Sequence, residues 1–237
     1  MLTMRDHDVE DYAVLRDMDG SDVGVLSDDD RTCLAEVGQY LATAEAWDRF
    51  GVWLLHKHFE PSDGEVFVER LSDAPRGTRT APIARTSELQ ATAIRFDGFV
   101  DGGVGAIGME FAAPADFGDT APFNAEDEAI LMGIAEKLDA MGKLDRFGVR
   151  LIRNPLGLAE GELLHETSDS SDRTLHCVVT DRAALVPENT IETTWRWRVI
   201  DGETQPTVMQ ECTVGCVRVG EGHDINHAHS EDFGGND

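Results

Sequence analysis

Lysine is almost absent: Lys57, Lys137 and Lys143 are the only three, and the rest of the 20 basic residues are arginine. Against them stand 46 Asp and Glu, giving a formal net charge of −26. So little positive charge excludes general binding to nucleic acids or anionic membranes, because neither surface attracts such a chain. No apolar run reaches the length of a membrane-spanning helix. The opening MLTMRDHDVEDY lacks the basic-then-apolar order of a signal peptide, so a cytoplasmic location is expected. Cysteine is scarce as well, and without an export signal the four (Cys33, Cys177, Cys212, Cys216) are expected to be reduced thiols. What is present is enough apolar content, 41% of 237 residues, for one large domain or two small ones.

Abundant carboxylates with few lysines make a composition that resembles the cytosolic proteins of salt-in halophiles, the haloarchaea above all. Crowded carboxylates repel in dilute buffer. Molar salt shortens the screening length to about 3 Å and removes most of that repulsion. Exchanging Lys for Asp also trims exposed apolar stem. The resemblance implies a fold that depends on salt; it specifies no activity.

The sequence matches itself without a gap at an offset of 97, residues 27–73 against 124–170, with 12 identities in 47 positions. Asp48-Arg49-Phe50-Gly51-Val52 recurs as Asp145-Arg146-Phe147-Gly148-Val149, and Glu69 recurs as Glu166. Farther on the offset becomes 101, aligning Thr92, Arg95 and Glu110 with Thr193, Arg196 and Glu211. This pattern predicts an internal duplication of a unit of about 100 residues.

Each copy opens with an amphipathic helix: Cys33, Leu34, Val37, Leu41 and Ala44 in the first, Ile130, Leu131, Ile134, Leu138 and Met141 in the second. Ser27 with Asp30, and Asn124 with Asp127, have capping-box spacing. Strands are expected at 49–59, 65–71, 91–97 and 105–112, then at 146–153, 162–167, 174–180, 191–200 and 207–219. The expected architecture is α+β, each copy one helix plus a mostly antiparallel sheet of four to five strands, in a pseudo-twofold arrangement. The segments expected are an acidic N-terminal stretch 1–24, copies at 25–115 and 120–219, and a His-rich acidic tail 220–237. Two ion pairings are expected as well. One joins Asp48/Arg49 and Asp145/Arg146 at the helix-to-strand joints; the other joins Glu110/Glu211 to Arg95/Arg196 between strands.

Two clusters carry metal-ligating chemistry. Cys212, Cys216, His223 and His227, with His229 beside them, offer two thiolates and two imidazoles suited to tetrahedral zinc. His56 and His58 share a face if their strand is regular, with Glu60 or Glu65 nearby as ligand or base. Arg76, Arg79 and Arg85 lie in a locally basic window that could hold a small anionic ligand, or equally the protein's own carboxylates. Asp17-Met18-Asp19-Gly20 resembles motif I of haloacid-dehalogenase-type phosphatases, which implies Asp17 as nucleophile and Asp19 as acid and base. Arg16 interrupts the apolar strand that motif requires, and no downstream Lys and acidic pair follows. Gly103-Val104-Gly105-Ala106-Ile107-Gly108 satisfies the dinucleotide spacing, but Met109-Glu110-Phe111 predicts a strand after it where a helix is needed.

The leading expectation is therefore a binding or interaction protein with a structural zinc in copy two and a possible protein partner. A metal-dependent hydrolase using His56 and His58 is the alternative, followed by a Cys177-dependent enzyme with His176 or another histidine as base, His176 itself being disfavoured because adjacent strand residues point to opposite faces. Substrate and oligomeric state are not encoded in any motif.

Overall fold

The structure is a computed structural model. It describes residues 1–5, 7–18, 23, 25–153, 155–169, 171–185, 190–200, 203–213, 217–219 and 222–224. In chain order the elements are β1 (Leu2–Arg5), α1 (Val9–Ala13), α2 (Asp28–Thr43), β2 (Phe50–Leu54), β3 (Glu65–Asp73), β4 (Arg76–Ala84), β5 (Gln90–Val100) and β6 (Gly103–Ala112). Then come α3 (Glu128–Ala140), β7 (Phe147–Leu151), β8 (Glu162–Asp169), β9 (Thr174–Asp181), β10 (Thr190–Ile200), β11 (Glu203–Thr213), β12 (Val217–Val219) and β13 (Gly222–Asp224).

Ten strands close into one barrel in the order β6-β3-β4-β9-β8-β11-β10-β2-β7-β5, with β5 returning to β6. This corrects the expected α+β fold with internal duplication, in which each copy has its own sheet. β2 is flanked by β7 and β10, and β4 pairs with β9, so neither half of the chain builds a separate layer. The physical reason is edge closure: a half-sheet would leave unpaired backbone at both edges, and closing the ring satisfies it. The barrel is also not simply antiparallel, since β3 runs parallel to β6 and β8 parallel to β11. Strand β4 was not expected from a segment carrying Arg76, Gly77, Arg79 and Pro82. It pairs with β3 throughout its length from Glu65↔Ala84 to Asp73↔Arg76.

The strand faces explain where the helices lie. Phe50, Val52 and Leu54 of β2 point outward with Phe147, Val149 and Leu151 of β7, and join Val37 and Leu41 of α2 and Ile134 and Leu138 of α3 in the larger core. Trp53 and Leu55 point into the barrel, where Phe59, Phe67 and Ala93 meet Tyr12 and Leu15. Residues apolar on both faces are what a strand between helices and a filled barrel requires. Gly38 lets α2 lie directly on β10: a Cβ there would fall 2.0 Å from Trp197 Nε1.

Both expected capping boxes form, Ser27 with Asp30 and Asn124 with Asp127, the second on a short 3₁₀ turn leading into α3. Their carboxylates do a second task. Asp127 takes a two-pronged contact from Arg49, 2.6 Å on each side, and Asp30 takes Lys143 at 2.7 Å and Arg146 at 3.6 Å. Arg49 and Arg146 therefore reach the helix start of the opposite half, and the expected pairing with Asp48 and Asp145 is replaced. Arg95 likewise binds Asp11 at 2.9 Å rather than Glu110. The N-terminal stretch is part of the fold: β1 runs parallel along β6, and Tyr12, Leu15 and Met18 are buried.

Candidate metal centre in the barrel

The barrel interior is polar at one end of its apolar filling. Glu69 on β3, Glu110 on β6 and Glu166 on β8 are all buried. Arg150 on β7 binds Glu110 closely, stands 3.6 Å from Glu69 and donates to Gln210 Oε1 at 3.0 Å. Arg153 closes on Glu69. Three carboxylates thus face two guanidinium groups, and the third carboxylate, Glu166, has imidazoles in place of an arginine.

The self-match makes the substitution explicit. Glu69 and Arg153 occupy the positions that Glu166 and His56 occupy at the 97-residue offset. Where one carboxylate receives a permanent cation, its counterpart receives a group that is neutral unless protonated or bound to metal. A buried carboxylate left without a cation costs several kcal/mol, so the site calls for positive charge.

The geometry shows how that charge can be supplied. The chain leaves β2 at Leu54, and His56 Nδ1 donates to the Leu54 carbonyl at 2.8 Å, which fixes the ring with Nε2 toward Glu166. That Nε2 lies 3.1 Å from His58 Nε2 and 3.6 Å from Glu166 Oε1, and His58 Nε2 is 2.5 Å from the same oxygen. Oε1 receives no well-aligned hydrogen bond. The second oxygen, Oε2, is held by Gln210 Nε2, with Cys177 Sγ at 3.9 Å. Ligand atoms around a tetrahedral ion with bonds near 2.0 Å stand about 3.3 Å apart. These three converge within 4.8 Å, are 3–4% exposed, and could hold a metal ion. Burial pushes the Glu166 carboxyl up, but the adjoining His58 and His56 outweigh it and hold its pKa well below the usual carboxylate range.

Two other buried carboxylates around Arg150 are driven apart. Burial raises both, yet Arg153 and Arg150 together bring Glu69 below its ordinary value, while burial prevails at Glu110 and leaves it raised. Glu69 therefore adds stability above its unfolded pKa, near 4.3, that is lost as pH falls through its depressed folded value. Glu110 has the opposite sign: its contribution is present below the unfolded pKa and is lost as pH rises through the raised value. Urea midpoints of Glu69→Gln and Glu110→Gln from pH 4 to 8 test this. At pH 7 and above Glu69→Gln is expected to lose the more stability of the two, with the difference narrowing toward pH 4. Equal losses at all pH values would contradict the assignment.

The other residues singled out in the sequence sit as follows. Glu60 and Glu65 are not at the histidine pair: Glu60 takes Lys57 Nζ at 2.5 Å, and Glu65 takes Arg173 at 2.8 Å. Arg76 binds Glu162, Arg79 binds Asp172 at 3.2 Å, and Arg85 lies 5.7 Å above the Phe111 ring. Asp17 bridges to the Lys57 segment; Asp19 is outside the described residues. Cys177 faces the interior. Burial, then Glu166 and Glu69, push its thiol well above the ordinary range, which opposes nucleophilic use. The glycine run 103–108 lies within β6, after a turn at Asp101–Gly102. Cys216, His227 and His229 lie outside the described residues, and Cys212 and His223 are placed by backbone alone.

Sequence reasoning joined His56 to His58 but missed Glu166 as their partner. The signal was present: Glu69 and Glu166 match across the offset while His56 and Arg153 differ, marking a shared carboxylate with unlike partners. No membrane-length apolar helix occurs among the described residues. The chain matches no protein-family model, no curated protein and no solved structure, so the site is read from its geometry.

Proposed function

We propose that the chain is a metalloprotein that binds one divalent transition-metal ion through His56 Nε2, His58 Nε2 and Glu166 Oε1, and that this centre serves metal-dependent hydrolysis. Convergence of two imidazole nitrogens on a carboxylate oxygen that lacks a well-aligned hydrogen bond carries the reading. Two nitrogens and one oxygen suit zinc, and the same triad suits iron(II). Three protein ligands leave a position for water, which a bound zinc ion acidifies toward neutrality. The chain's own part is to fix the ligands. The Leu54 carbonyl sets the His56 tautomer, and Gln210 turns Glu166 so that its other oxygen faces the histidines. Glu60 and Glu65 are engaged elsewhere, so neither supplies the base.

Elemental analysis of protein purified without chelators tests the proposal. About one ion per chain is expected, lost in His56→Ala and in Glu166→Ala and retained in Cys212→Ser/Cys216→Ser. Zinc lost only in the cysteine variant would favour the Cys212, Cys216, His223, His227 cluster and a structural role. Metal-free protein with His58 protonated at pH 7, seen by NMR titration, would reduce the site to a buried ion pair.

A further inference from the structure

A cavity of about 460 Å³ lies on the outside of the barrel, away from the histidine site. One wall is the face of α2 that carries Arg31, Leu34, Ala35 and Gln39; the floor is Trp195 and Trp197 of β10 with Pro206 and Val208 of β11. Arg182 closes one end, bound to Glu192 Oε1 at 2.8 Å, while Glu192 Oε2 accepts from Trp195 Nε1 at 3.0 Å. Arg31 is exposed and makes no ion pair among the described residues.

The helix and strand on the other side of the molecule show what such a groove holds. There β1 lies between α3 and β6. Leu2 packs against the larger core, the Leu2 amide donates to Glu128 Oε1 at 3.0 Å, and the Met1 ammonium stands 3.8 Å from the same oxygen. An apolar side chain fills the groove, and a charge on the helix fixes the end of the filler. At the 97-residue offset Glu128 corresponds to Arg31, so the fixing charge is reversed. The strand edge differs too. β1 lies in register with Val104–Ile107 of β6, and Val104 donates to the Met1 carbonyl. Ala106 stands opposite Phe96, and the residue opposite Trp197 on β11 is Pro206, which has no N–H to give an added strand.

We infer that this groove is a binding site for a small organic carboxylate with an apolar body, such as a medium-chain or aryl-alkyl acid. The body lies on Trp195, Trp197 and Val208, and the carboxylate takes a forked contact from Arg31. The volume falls within the range of small-molecule sites, and the apolar floor is ringed by Arg31, Gln39, Arg182, Glu192 and Thr204. The large negative charge of the chain does not forbid this. At physiological ionic strength charges beyond about 8 Å are largely screened, and the carboxylate in the groove wall, Glu192, is already held by Arg182 and Trp195, which leaves Arg31 to meet the ligand. The site is independent of the proposed metal centre.

Titration of the full chain with octanoate, followed by tryptophan emission, tests the assignment, with 1-octanol as the uncharged probe. Saturable binding of octanoate is expected, with affinity reduced about tenfold or more in Arg31→Gln. 1-Octanol should bind more weakly and equally to both proteins. Ala35→Trp, on the exposed side of α2, should fill the groove and abolish the response while the melting temperature stays within a few degrees. Three results would overturn the proposal: no saturable response of the full chain (as when another part of the chain occupies the groove), equal affinity for octanoate and octanol, or an unchanged affinity in Arg31→Gln.

Discussion

Replacing Arg150 with methionine is expected to destabilise the protein by about 3–5 kcal/mol, the cost of removing one partner from a buried ion cluster. The guanidinium touches Glu110, approaches Glu69 and donates to Gln210, so a single change strands the Glu110 carboxylate and an amide oxygen inside the barrel and leaves Glu69 to Arg153 alone. Burial disfavours its charge, but Glu110 and Glu69 outweigh that and keep it firmly protonated. Methionine matches the volume of the stem, so the loss reports charge rather than a cavity. Urea unfolding at pH 7 measures it, and the double variant Arg150→Met/Glu110→Gln should recover part of the loss, because one stranded charge is gone with its partner. A loss below about 1 kcal/mol, or no recovery in the double variant, would show that the cluster is not a coupled unit.

The second large effect is linkage between metal and stability. An ion that binds the folded barrel alone adds about 4 kcal/mol when its free concentration is a thousand times the dissociation constant. Chelation of the purified protein should therefore lower its melting temperature by many degrees, and added zinc should restore it. His56→Ala should melt at one temperature with or without chelator, since two ligands hold an ion far less tightly than three. A chelator-induced drop of the same size in wild type and His56→Ala would place the stabilising metal elsewhere. The experiment separates metal loss from misfolding, because the variant's own melting temperature serves as its reference.

The helices α2 and α3 and most of the strands were legible from residue pattern, while the closed ring that the strands build was not and overturned the expected duplicated α+β fold. The helix starts were readable because Ser27 with Asp30 and Asn124 with Asp127 satisfy their own backbone donors, a rule that operates within four residues. The two faces of β2 were readable because Phe50, Val52, Trp53 and Leu54 leave no polar side. The ring was not, because strand partners are chosen between segments far apart and no residue of β2 names β7 or β10. β4 was hidden for another reason: its exposed Arg76 and Arg79 pair with Glu162 and Asp172 on the far side of the seam, so its polar residues are contacts between halves. The ion pairs misled through proximity in sequence. Arg49 lies beside Asp48 yet binds Asp127, because the helix start of the other half sits nearer than its neighbour's short side chain can turn. At the histidine pair the spacing gave two candidate ligands, and the third candidate, Glu166, required knowing that β8 faces the loop after β2.

The seams have a bearing on how the molecule is made. β4 meets β9, and β2 meets β7 and β10, so three of the pairings that complete the ring join residues about 100 or more positions apart, from the two halves of the chain. While the first half leaves the ribosome, hairpins such as β3–β4 can form, but β2 has neither neighbour and Glu69 lacks both arginines. The nascent chain must carry those exposed edges and that lone carboxylate until β10 emerges, which makes closure of the ring a late event.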